Sequence, residues 1–170
     1  MDFDFSDDQE QLRDAVRKYV DKGYTFERRR ATEKAGGFDR AAYNELAELG
    51  LSGLYVPEDD GGMGMGPVEG MVVMEELGRG LVNAPYAVGA LMTPVLLAAA
   101  PSEVQEAWLP KVASAEALVV LAQQERQSRY QLHKVATRAS QGANGWTLSG
   151  HKNVVPAADE ADAFIVSARI

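Results

Sequence analysis

The spacing of the apolar residues changes once along this chain, near residue 113, and that change decides the fold class. Before it, apolar side chains recur at helical spacing; after it, they alternate or gather in short β-branched runs. Leu12, Val16, Tyr19 and Val20 share one helix face, Ser6-Asp7-Asp8-Gln9 places a capping-box pattern ahead of them, and Gly23 suits the stop. The polar, basic stretch Thr25 to Lys34 predicts a short exposed helix broken by Gly36-Gly37. Asp39 can cap a third helix with the face Ala42, Tyr43, Leu46 and Leu49, ending at Gly50. Leu51 to Val56 is too short for a long helix and runs into the glycine-rich loop Pro57 to Gly64. Pro67 opens a fourth helix, whose Val68, Met71, Val72, Met74 and Leu77 cover enough of the circumference to predict burial on several sides. Residues 87–100 predict a fifth helix that Pro94 starts or kinks. Ser102-Glu103-Val104-Gln105 reads as a second capping box, with Val104, Trp108, Leu109 and Val112 facing inward behind it.

Beyond residue 113 the pattern is that of strands. Ala117 to Ala122 is a buried strand; Val135, Thr137 and Ala139 alternate with polar residues, as do Trp146, Leu148 and Gly150, and the turn cluster Gln141 to Gly145 makes the pair a hairpin. Ala163 to Ala168 is a further strand. Helices first and antiparallel strands afterwards define an α+β chain, with a helical domain over 1–112 and the start of a β-domain over 113–170. Three or four strands with an uncovered apolar edge make a poor independent sheet, so further strands are expected to cover them.

Composition narrows the function. Twenty-five acidic against 17 basic residues give a net charge of −8, which argues against the positive surface that nucleic-acid binding needs. The absence of cysteine removes disulfides, thiolate catalysis and thiolate metal sites. No stretch reaches the ~18 apolar residues of a membrane span, and the acidic N-terminus lacks the apolar core of a signal peptide. A cytoplasmic protein with no nucleic-acid or membrane partner is expected. His133 and His151 have no supporting ligand pattern and make no metal site, and the methionines read as core fillers.

Several segments resemble the acyl-CoA dehydrogenase family, in order and at matching separations. Phe5-Ser6-Asp7-Asp8-Gln9 with Leu12-Arg13 is similar to the family's first helix, and Phe38-Asp39-Arg40 with Glu45 to Gly50 to its third. Val56-Pro57-Glu58 and Gly61-Gly62-Met63-Gly64 resemble its glycine-rich loop, and Glu75-Glu76-Leu77-Gly78-Arg79 the end of its fourth helix. Trp108-Leu109-Pro110 with Ala113 to Ala117, Leu148-Ser149-Gly150-His151-Lys152, and Ala161-Asp162 through Val166-Ser167-Ala168-Arg169 resemble the approach to the β-domain and two of its strands. The resemblance covers essentially the whole chain. It implies an all-α domain followed by the first strands of an antiparallel β-barrel, with the family's C-terminal helical domain outside this chain. It also implies FAD as cofactor, an acyl-CoA substrate, an electron-transfer flavoprotein or similar acceptor, and a homo- or hetero-oligomer built as a dimer of dimers. The implied reaction is α,β-dehydrogenation, in which a carboxylate removes the α proton while flavin N5 takes the β hydride. In the family that carboxylate usually belongs to the C-terminal domain, so no catalytic residue is expected here. Asp59 and Asp60 read as turn residues, and Glu75 and Glu76 as part of a helix end.

The match also shows where this chain departs. Aligned from Gly150 and Lys152 without gaps, Gln124-Glu125-Arg126 stands on the family's Thr-Glu-Pro, and Arg129-Tyr130-Gln131 on its Gly-Ser-Asp. Lys152-Asn153-Val154-Val155-Pro156 stands on Lys-x-Trp-Ile-Thr. The resemblance thus implies flavin contacts at Leu121, Gln123, Gln124, Val154 and Pro156, and substrate contacts at Arg129 and Tyr130. The Gln124 amide can still donate to a flavin carbonyl, whereas Arg129 and Tyr130 are far larger than Gly and Ser, and Pro156 removes a hydroxyl and an N–H. The loop 124–134 carries Arg126, Arg129, His133 and Lys134, a basic cluster that either meets the pyrophosphate of FAD or CoA or is a solvated strand connection. Three functions stay open: a flavin-dependent dehydrogenase acting on a carboxylated or bulky acyl chain, a non-catalytic structural subunit paired with a flavin-competent relative, and, behind these, a stand-alone helical interaction domain.

Overall fold

A computed structural model describes residues 4–128 and 130–170. They divide into two compact units, one running to Ala117 and the other spanning Leu118–Ile170. The first is helical: α1 (Asp7–Gly23), α2 (Phe26–Lys34), α3 (Arg40–Glu48), α4 (Pro67–Arg79), α5 (Thr93–Leu97) and α6 (Ser102–Ala113). Its core gathers Val16 and Val20 from α1, Leu46 from α3, Leu51 and Leu54 from the segment after it, Val73 and Leu77 from α4, and Tyr86 and Ala90.

The local signals explain most of these boundaries. The Ser6 hydroxyl accepts the Gln9 N–H at 3.3 Å while the Gln9 side chain accepts the Ser6 N–H at 3.0 Å, so the first capping box forms and satisfies two orphan donors of α1. The Asp39 carboxylate accepts the Ala42 N–H at 2.9 Å and the Arg28 guanidinium at 2.8 Å, capping α3 and tying α2 to it. The glycine-rich loop folds back on residues 53–56: Met63 N–H donates to Gly53, Gly64 N–H to Val56 and Met65 N–H to Leu54. A Cβ at Gly62 would collide with the Val56 carbonyl, so this close approach requires glycine.

Two helical expectations need correction, and a third, a helix that Pro94 starts or kinks, is borne out with a change of type at that proline. In α4 the buried apolar residues are Val72, Val73 and Leu77, while Val68, Met71 and Met74 are 44%, 52% and 39% exposed. That helix packs mainly on α1, which covers one side only. The same covered face holds the carboxylate of Glu76, bridged by Arg17 from α1 at 2.6 Å and Arg79 at 2.7 Å. Ser102 does not cap α6, because Pro101 holds the cap position and makes Ser102 the first helical residue. Gln105 instead donates its amide to the Ala98 and Ala100 carbonyls, and Val104 is exposed while Leu109, Val112 and Ala113 are buried. The fifth helix is divided: a π-helical turn, Ala87–Met92, precedes α5. Pro94 lacks the N–H that would continue the regular ladder, and the Thr93 hydroxyl donates to the Val88 carbonyl at 2.9 Å beside it.

The second unit holds β1 (Val119–Ala122), β2 (Arg138–Gly142), β3 (Gly145–Ser149) and β4 (Ala163–Val166). β2 and β3 form the expected antiparallel hairpin, with Arg138 opposite Ser149 and Gly142 opposite Gly145. β1 pairs with β4 from Val119–Ala163 to Ala122–Val166, and this pair runs parallel rather than antiparallel. The connection between them contains the whole hairpin, long enough for a parallel crossover. The Leu118 N–H donates to the Asp162 carboxylate at 2.7 Å and the Asp162 N–H to the Leu118 carbonyl at 2.9 Å, fixing the register at the start of the pair.

Candidate functional site

The site is organised around a buried ion pair just past β1. Glu125 is 7% exposed and accepts hydrogen bonds from the Lys152 ammonium (2.8 Å), the Thr137 N–H (3.0 Å) and hydroxyl (2.7 Å), and the Ala136 N–H (2.6 Å). The bond from Lys152 is the largest cause, with those from Thr137 and Ala136 behind it, of a carboxyl pKa held down at about 2. Lys152 donates further to the Gln123 carbonyl (3.3 Å) and the Ser167 hydroxyl (2.9 Å). One carboxylate and one ammonium thereby join four separate stretches of chain. A Cβ at Gly150 would strike Thr137, so glycine keeps the approach to this clamp open.

The clamp brings some of the expected contact residues together. The Gln124 carbonyl accepts the Asn153 N–H at 2.8 Å, and with the Lys152–Gln123 bond this lays residues 123–124 alongside 152–153. Leu121 is half-buried in β1, Gln123 is half-buried and Gln124 is exposed. Val154 is 82% exposed and adopts φ +51°, a left-handed conformation that a β-branched residue rarely takes. Pro156 is exposed at the start of the turn 156–160. Tyr130 is exposed and belongs to the turn after Glu125, away from any strand. Arg129 lies outside the described residues.

The basic loop is only partly convergent. Arg126, His133 and Lys134 are all exposed, and of these Lys134 alone lines a depression of about 180 Å³. Arg169, just past β4, lines the same depression, and the sequence did not single it out for this role. Nothing in the spacing of Lys134 and Arg169 announces that they line one depression; the parallel bridge of Arg169 to Arg138 at the start of β2, with the Arg169 N–H donating to Thr137 and the Ala139 N–H to Arg169, produces it.

Chemically, this arrangement sets the exposed Gln124, whose amide can donate and accept, on a segment bonded to Asn153, next in sequence to the exposed Val154. The Glu125 carboxylate is taken up by its four donors, and Asp59 and Asp60 sit in a 3₁₀ turn of the helical unit. Among the described residues, no helix is long and apolar enough to cross a membrane.

Comparison with known proteins shows the family of the chain. The profile of the acyl-CoA dehydrogenase N-terminal domain matches residues 6–116. The chain is 30% identical to the benzylmalonyl-CoA dehydrogenase of Aromatoleum aromaticum over 99% of its own length and 45% of that protein's. Among solved structures it superposes on a glutaryl-coenzyme A dehydrogenase–glutaryl-CoA complex with a TM-score of 0.87 at 26% identity, covering 99% of this chain and 44% of that one. On the ChsE4–ChsE5 complex of Mycobacterium tuberculosis the TM-score is 0.86 at 28% identity, covering 99% and 45%. The chain thus spans less than half the length of these relatives. The capped helices, the loop closed by Gly62 and the strands that follow them are those of one family, and the chain belongs to the acyl-CoA dehydrogenases.

Proposed function

We propose that the protein is a flavin-dependent dehydrogenase of acyl-CoA thioesters and that this chain supplies one wall of its flavin site. The observation that carries the proposal is the adjacency of residues 123–124 and 152–153, held by the Glu125–Lys152 clamp. Gln124 is exposed, and its side chain offers both N–H donors and a carbonyl acceptor, the set that a flavin's ring carbonyls and ring N–H call for. The donor set therefore fits FAD. Leu121, Gln123, Gln124 and Pro156 would border the flavin ring, Val154 would give apolar contact, and Arg129 and Tyr130 would serve the substrate, as the family match assigns them. When bound, FAD supplies the hydride acceptor. The residues of this chain would orient the ring, and Glu125, with four donors on its carboxylate, serves the clamp rather than proton transfer.

A carboxylated or bulky acyl group is the proposed substrate class, supported by likeness to proteins named for benzylmalonyl-CoA and glutaryl-CoA. An electron-transfer flavoprotein or similar acceptor would reoxidise the flavin. Purified full-length protein is expected to release FAD on denaturation, in near-equal amount to the protein chains; a folded, colourless homomer contradicts the proposal.

A second function is favoured by one specific feature. Val154 and Pro156 give up an aromatic ring and a hydroxyl where the family contacts its flavin, and both are exposed. Such a chain suits a structural subunit paired with a flavin-competent relative, and one structural neighbour is itself named as a two-component complex. Co-purification separates the two: a homomer that carries FAD and is active alone rules the structural subunit out.

A further inference from the structure

The depression lined by Lys134 and Arg169 has no role in the flavin wall described above, and its chemistry is specific. The Arg169 side chain is held in place by two backbone carbonyls: its Nε–H donates to Val135 at 2.7 Å and an Nη2–H to His133 at 3.1 Å. Those bonds fix the guanidinium plane and leave the rest of its donor fork uncommitted among the described residues. In the same lining, the Lys134 ammonium has neither an acidic partner nor a hydrogen bond among the described residues. The one carboxylate in the lining, Glu125, is already neutralised by Lys152 and two backbone N–H groups, so it leaves a positive balance around the opening. The volume of about 180 Å³ is roughly that of six water molecules in the liquid, enough for one phosphate group. A guanidinium held by two carbonyls and an exposed ammonium lining one small space are a matched pair for a tetrahedral dianion: the first gives geometry, the second charge.

We propose that this depression is a phosphoryl-binding site, taking a phosphate of a nucleotide that the protein uses. Two sources share that chemistry, the nucleotide part of an acyl-CoA and that of FAD, and the choice between them rests on the function proposed above. The site itself does not. It also relocates the basic recognition that the sequence spread over Arg126, Arg129, His133 and Lys134: Lys134 stays, and Arg169 joins it.

The test titrates the full-length protein with inorganic phosphate, pyrophosphate, CoA, 3′-dephospho-CoA and FAD, reading backbone amide shifts of residues 127, 128, 134 and 136. Saturable phosphate binding that Lys134→Glu weakens by at least about tenfold, and Lys134→Arg restores, is the expected result, since a charge-assisted hydrogen bond contributes that much. Lys134 is exposed and its side chain is unpaired among the described residues, so the variants are expected to keep the fold. CoA binding that depends on Lys134 more than dephospho-CoA binding does assigns the 3′-phosphate; equal dependence with FAD unaffected assigns the CoA pyrophosphate; dependence of FAD alone assigns the flavin's. Phosphate and nucleotide affinities that are the same in wild type and Lys134→Glu overturn the site, and they do so whether or not the protein carries FAD. A colourless protein that still binds phosphate through Lys134 would contradict the proposed function and leave the site standing.

Discussion

Glu125 keeps its negative charge with almost no exposure because four donors converge on it, and the surrounding chain depends on that charge. Its carboxyl pKa is lowered from 4.5 to about 2. A lowered folded-state value means that the ionised form stabilises the fold; the contribution is complete above about pH 4.5 and fades as pH falls toward about 2. Glu125→Gln is expected to unfold at a lower denaturant concentration than wild type at pH 7, with the gap closing as the pH approaches 2. Denaturant titrations at several pH values check this, and a gap independent of pH would show that the charge is not what stabilises. Tyr43 presents the opposite case. It is fully buried, its hydroxyl has no hydrogen-bond partner among the described residues, and burial pushes its pKa up to about 12. Leaving a buried hydroxyl unpaired costs about 1–3 kcal/mol, so Tyr43→Phe is expected to raise stability by about 1 kcal/mol, measured by thermal or chemical denaturation.

At the scale of elements, the caps and the glycines were legible because their causes are local. Ser6 capped α1 and Asp39 capped α3 as their sequences predict, and removing the first by Ser6→Ala is expected to cost about 1 kcal/mol in denaturant unfolding. Gly62→Ala is expected to be far worse than Gly61→Ala on the space around each, because the added methyl meets the Val56 carbonyl at Gly62 and nothing at Gly61; comparing soluble yield and melting temperature of the two variants tests it. Gly61 does carry a positive φ, so its own substitution is not free. What the sequence hid depends on context beyond a few residues. Ser102 carried a capping pattern, but Pro101 took the cap position one residue earlier. Val68, Met71 and Met74 looked like core because periodicity records an apolar face without saying what covers it. The parallel direction of β1 and β4 follows from where the long connection returns, which no short window contains.

For the whole molecule, the family could be read from motifs in order, while the site could be read only in part. Gln123, Gln124 and Lys152 were named or quoted from their positions in the match, and the fold lays their segments side by side. Arg169 was quoted only as a strand end, and its place in one lining with Lys134 needs the tertiary arrangement. The Glu125–Lys152 pair explains how a sequence can lose the family's threonine and tryptophan at neighbouring positions and still keep the two segments together. This is the basis for expecting flavin chemistry despite those losses. The direct test is an anaerobic titration of the flavin-loaded full-length protein with acyl-CoA thioesters that include dicarboxylic and branched members. Dehydrogenation takes two hydrogens from the substrate and reduces the flavin, so the predicted result is bleaching of the visible flavin absorbance with one enoyl-CoA formed per flavin reduced. A folded, flavin-loaded protein whose spectrum no acyl-CoA in the panel changes would contradict it.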